Sequence, residues 1–133
     1  MSAVSKKVIL VGHCGPDAGY LRMIVKKTSP DVEVLMADDS QELTHLLARN
    51  NHIDLILFNR ELGYGFDPDQ GSEVIRELRP MLPNVKMMLI SNYPDAQQAA
   101  VAAGALPGFG KRELGSPRVL QLLRDALSIE QTV

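Results

Sequence analysis

Unbroken apolar runs alternate with stretches of helical period five times along the chain. Val8-Ile9-Leu10-Val11 is too short for a helix, suits a strand buried on both faces, and ends at Gly12. From Ala18 to Lys27, Leu21, Ile24 and Val25 recur at helical spacing, and Ser29-Pro30 breaks the run. Val32 to Ala37 predicts a second strand. Asp39 or Ser40 then caps a helix striped by Leu43, Leu46 and Leu47, with Glu42 completing a capping-box-like pattern from Asp39. Leu55 to Phe58 predicts a third strand, closed by Asn59. A polar, glycine-rich loop over 60–71 leads to Ser72, the expected cap of a helix with Val74, Ile75 and Leu78 inward and Pro80 at its end. Met87 to Ile90 is a fourth strand ending at Ser91, and the alanine-rich helix Asp95 to Ala103 is closed by Gly104. Leu106 to Phe109 is a weaker fifth strand. Its Pro107 cannot donate a ladder hydrogen bond and belongs at a sheet edge. Ser116-Pro117 opens the last helix, with Val119, Leu120, Leu123, Ala126 and Leu127 facing inward.

Regular alternation of this kind predicts an α/β fold: a five-stranded parallel sheet flanked by five helices in three layers. The length, 133 residues, suits one domain, placed at 6–128 with short tails at 1–5 and 129–133. Five βα units fit the strand order 2-1-3-4-5, which makes the fifth strand an edge and agrees with Pro107.

Composition mainly excludes. A net charge of −2 implies no broad attraction to nucleic acid or anionic lipid, and 5% aromatics with no Trp argues against a base-stacking platform. No apolar run approaches a membrane span, and the N-terminus lacks the pattern of a signal peptide, so a cytoplasmic location is expected. Cys14 is the single cysteine, which removes internal disulfides and multi-cysteine zinc sites.

In the 2-1-3-4-5 order the carboxyl ends of strands one, three, four and five converge on one crevice, where such folds place their chemistry. Gly12, His13, Asn59, Ser91 and Lys111 fall there. His13 and Cys14 have no partners at metal-ligand spacing and read as a loop histidine and a small buried thiol. Gly12-His13-Cys14-Gly15 lacks the ending of a phosphate loop, and Gly63-Tyr64-Gly65 is too short for a dinucleotide fingerprint. Lys111 needs acceptors, for which Asn59, backbone carbonyls, Glu61, Asp67 and Asp69 are the candidates, with plain solvent as the alternative.

Taken together, Asp54-Leu55-Ile56-Leu57-Phe58-Asn59, Met88-Leu89-Ile90-Ser91, and Gly104-Ala105 followed by Lys111 resemble the receiver domain of bacterial response regulators over roughly Lys6 to Leu127. The resemblance implies phosphoryl transfer to an aspartate at position 59, with Mg²⁺ held by that carboxylate and an acidic pair after strand one. It also implies a Thr or Ser and a Lys on the phosphoryl oxygens, and a switch aromatic in strand five. This chain retains Ser91 and Lys111. It has Asn59 at the acceptor position, Gly12 and His13 at the acidic pair, Arg112 after the lysine and Gly108 at the switch position. An amide is no competent nucleophile for an acyl phosphate, so the sequence reads as a degenerate receiver, or pseudo-receiver.

The expected function is therefore signal transduction by protein–protein interaction without aspartate phosphorylation, with no enzymatic activity and no cofactor, Mg²⁺ included. The resemblance implies a histidine kinase or effector protein as partner, or a homodimer, through the fourth helix, fifth strand and fifth helix. Gln97, Gln98, Arg118, Gln121 and Arg124 lie on that face. One alternative is a phosphorylatable receiver using Asp67 or Asp69 with Mg²⁺. Another is an anion or small-ligand sensor at Lys111, where lost negative charge favours anions.

Overall fold

The computed structural model describes residues 6–50, 52–63 and 65–129. Of the tails expected at 1–5 and 129–133, all but Ile129 lie outside the described residues, as do Asn51 and Tyr64. The elements, in chain order, are β1 (Lys7–Val11), α1 (Gly15–Thr28), β2 (Glu33–Ala37), α2 (Ser40–Arg49), β3 (Leu55–Asn59), α3 (Gly71–Leu78), β4 (Lys86–Ile90), α4 (Pro94–Ala102), β5 (Leu106–Phe109) and α5 (Pro117–Leu127), with a 3₁₀ turn at Lys111–Glu113. The strands form one parallel sheet in the order β2-β1-β3-β4-β5, as the alternation predicts.

The unbroken apolar runs are explained by two cores, one on each face of the sheet. Val8, Leu10, Leu55, Leu57, Met88 and Ile90 pack with α1 and α5, whereas Ile9, Val11, Ile56, Phe58, Met87 and Leu89 pack with α2, α3 and α4. Every one of these strand side chains is essentially removed from water, which stabilises the fold by about 1.5–3 kcal/mol for each large one.

Local sequence sets most element ends. The Asp39 carboxylate accepts from Glu42 N at 2.7 Å and caps α2. The Glu42 carboxylate reaches back to Asp38 N at 3.1 Å, one residue earlier than a regular capping box. Ser116 caps α5, accepting from Val119 N at 3.3 Å, with Pro117 in the first turn.

Two predicted helix starts are corrected. α1 begins at Gly15, ahead of its apolar stripe, with Pro16 in the first turn and Cys14 as N-cap. α3 begins at Gly71 behind Gln70, so Ser72 sits inside the first turn and caps nothing. The cause is tertiary: Glu61 and Gln70 pair as an isolated antiparallel bridge, and Gly71 N donates to Arg60 O at 2.8 Å. A Cβ at Gly71 would collide with Asn59 O, so only glycine lets the chain turn this tightly behind β3.

Candidate functional site

The crevice lies at the carboxyl ends of β3 and β4, where a hollow of about 160 Å³ is lined by Asn59, Arg60, Glu61, Ser91, Tyr93 and Lys111, among others. Asn59 ends β3 and turns its amide nitrogen toward two carbonyl oxygens, Gly12 O at 3.2 Å and Glu61 O at 2.8 Å. Both amide hydrogens are thereby used. Gly12 has φ +72°, and a Cβ there would press on Leu62, so the β1 turn that presents Gly12 O needs glycine. Ser91 is buried, and its hydroxyl accepts from Tyr93 N at 3.1 Å, shaping the turn into α4. Arg60 pairs with Glu61 at 3.1 Å and lies over the Tyr93 ring, 4.7 Å from its centroid.

Lys111 has a partner that sequence reasoning missed. Its ammonium lies 2.6 Å from the Asp17 carboxylate, in the first turn of α1, and not against Asn59, Glu61, Asp67 or Asp69. Sequence offered one signal for Asp17: an acidic residue just after Pro16, where a helix start favours negative charge. The Lys111 hydrogen bond, with a smaller contribution from the Cys14 thiol, holds the Asp17 carboxyl below the usual aspartate range.

Asp67 and Asp69 are not brought to the crevice. They line a separate depression with Gly63, Phe66, Pro68 and Glu73. The loop that carries them folds back over the start of α2, where Ser40 N donates to Gly65 O at 2.9 Å.

His13 and Cys14 exchange their expected environments. Cys14 is exposed, because an N-cap residue stands at the protein surface. His13 is only 7% exposed and its Nε2 lies 3.0 Å from Leu57 O, an acceptor, so Nε2 carries the proton. Its Nδ1 has no protein partner among the described residues. Burial pushes the His13 pKa below the usual histidine range, Lys111 adds to that direction, and the Leu57 carbonyl and Asp17 oppose it. Among the described residues no three His, Cys, Asp or Glu side chains converge as a metal-ligand set.

A second and larger concavity, about 700 Å³, runs between α4 and β5. Gln97, Gln98 and Arg118 line it, as do Val101, Pro107 and Gly108. Gln121 lies outside it and donates to Asp125 at 2.8 Å, and Arg124 is outside it too. Gln97 is not the plain surface residue its sequence suggests, for its side chain turns inward onto the ends of β4 and β5.

This sheet order, five flanking helices and a crevice at the strand ends define the fold of response-regulator receiver domains. Solved structures of that kind superpose over nearly the whole chain. The signal receiver domain of a DNA-binding response regulator from Colwellia psychrerythraea matches with TM-score 0.77 and 16% identity, over 93% of this chain and 99% of its own. The beryllofluoride-activated NtrC4 receiver domain dimer gives 0.74 and 16%, over 92% and 96%. The phosphorylated cyanobacterial phytochrome response regulator RcpA gives 0.70 and 18%, over 97% and 98%. No family model matches the sequence, and no curated protein does.

Proposed function

We propose that this chain is a signalling module of receiver fold that acts by protein–protein contact and does not accept a phosphoryl group at position 59. The observation that carries the reading is that the Asn59 amide hydrogens and the Lys111 ammonium are both satisfied from within the chain. The Asn59 amide is spent on Gly12 O and Glu61 O, and Lys111 is neutralised by Asp17 at 2.6 Å. An amide in that state is neither nucleophile nor base. The residues also do not fit Mg²⁺, which takes hard, anionic oxygens. Asp17 is tied to the Lys111 ammonium, Glu61 is paired with Arg60, and His13 and Gly12 stand where an acidic pair would be needed. The same pairing weighs against an anion sensor, because Lys111 already holds its counter-charge.

The partner-facing surface in this reading is the α4–β5 groove with α5 beside it, open at about 700 Å³. Its occupant is a histidine kinase, an effector protein or a second copy; among the solved structures of this fold, NtrC4 receiver domains form a dimer. The module has no catalytic role of its own. No helix among the described residues is long and apolar enough to cross a membrane.

The test is incubation with Mg²⁺ and a small acyl phosphate, followed by intact-mass measurement. The expected spectrum shows the unmodified chain alone. A stoichiometric phosphoryl adduct overturns the proposal, and loss of that adduct in an Asp67→Ala, Asp69→Ala double variant would assign the chemistry to the loop.

A further inference from the structure

The β4–β5 ladder contains a fault. Met88 pairs with Leu106 and Ile90 with Phe109, so Pro107 and Gly108 together oppose the single residue Leu89. Such a bulge leaves ladder groups without strand partners. Pro107 cannot help, having no N–H. Leu89 O and Gly108 N would therefore be orphaned beneath α4, a costly state for partly buried backbone groups.

Gln97 supplies what is missing. Its side-chain oxygen accepts from Gly108 N at 3.1 Å, and its side-chain nitrogen donates to Leu89 O at 2.9 Å and Ser91 O at 3.1 Å. Both amide hydrogens and the amide oxygen are in use, so one primary amide stands in for a peptide group of the strand. The arrangement depends on Gly108, since a Cβ there would collide with Leu89 O and crowd the Gln97 oxygen. The side chain that completes the sheet also ties α4 to the ends of β4 and β5, and both Gln97 and Gly108 line the groove.

We infer that Gln97 acts as a side-chain rung that completes the faulted β4–β5 ladder and fixes α4 in one arrangement, so that the α4–β5 groove is preformed in the free protein. The inference deepens the reading of that groove as a docking face. Its test uses the free protein, so the result stands apart from any partner or phosphodonor experiment.

Amide hydrogen exchange and relaxation dispersion read it directly. In the native chain Gly108 N–H exchanges slowly, and α4 and β5 show no microsecond-to-millisecond exchange. Gln97→Ala speeds Gly108 exchange by roughly tenfold or more, since Gly108 N–H loses its side-chain acceptor, while protection at Ile9 and Ile56 stays as it was. Should Gln97→Ala fail to fold, Gln97→Glu gives the same information, with Glu113, Arg112 and Arg118 as the charged groups around the groove. A protonated Glu keeps a donor and an acceptor, whereas an ionised one has no donor and faces carbonyl oxygens. Gly108 protection, corrected for intrinsic exchange, is then present at acid pH and lost as that carboxyl ionises. Equal Gly108 protection in the native chain and Gln97→Ala, protection in Gln97→Glu that does not change with pH, or millisecond exchange across α4 and β5 in the native chain overturns the inference.

Discussion

At position 59 an amide and a carboxylate of nearly the same shape have opposite needs. Asn59 donates to Gly12 O and Glu61 O. Asn59→Asp would place a carboxylate against the same two carbonyls. It is expected to lower stability by about 1–3 kcal/mol, read by urea unfolding, and to give no adduct with Mg²⁺ and an acyl phosphate. The Lys111–Asp17 pair is short, but its side chains are 39% and 32% exposed. Lys111→Ala should therefore cost less than about 1 kcal/mol. His13 titrates in the opposite sense to a paired histidine. Its folded pKa lies below 6.5, so below that pH the unfolded chain binds more protons. Stability is full above pH 6.5 and falls as pH drops toward the folded value. Asp17, lowered from 3.8, adds a further loss only below that pH. Unfolding free energies measured between about pH 7.5 and 5.5 should show this slope, and His13→Leu should flatten it. Asn59 and Lys111 are legible as residues of the crevice because they close or follow apolar strands in sequence. Asp17 and the burial of His13 are not, because the first depends on how α1 lies beside the Lys111 turn and the second on the approach of His13 to Leu57 O of β3.

Among the elements, α2 and α5 are read correctly from their local punctuation, whereas α3, set by distant backbone, is not. Ser116 and Pro117 announce α5, and Ser116→Ala should cost about 1 kcal/mol in thermal or urea unfolding. Asp39 announces α2 in the same way. The start of α3 is invisible to this logic, because the Glu61–Gln70 bridge and the fit of Gly71 against Asn59 O decide it. β5 is legible as an edge through Pro107, yet its bulge is not, since a fault in pairing exists only relative to β4. Gly108 gains its meaning there. Sequence shows only a missing aromatic, whereas the structure shows a position without room for any side chain. Gly108→Tyr, which restores the aromatic of the receiver pattern, should therefore destabilise by at least about 2 kcal/mol and not create a switch. Chemical denaturation together with Gly108 exchange would check it.

Over the whole molecule, a sheet with a core on each face carries a crevice in which Asn59 and Lys111 are paired from within and a groove that is open. Millimolar Mg²⁺ or phosphate should accordingly leave Tm unchanged, because a ligand stabilises only in proportion to its preference for the folded state. Asp17→Asn, by releasing Lys111, should give phosphate a measurable upward shift in the same assay. The sequence by itself determined the sheet, its strand order, its edge and the positions that meet at the strand ends. These follow from the period of apolar residues, from helix caps and from Pro107, all local or short-range properties of the chain. Only the tertiary structure decided the partners: Asp17 for Lys111, Gly12 O for Asn59, Leu57 O for His13, and Gln97 for the bulge. Hydrogen bonds and ion pairs have a reach of a few ångströms, and residues 47 apart, such as Gly12 and Asn59, come within it only after the strands have paired.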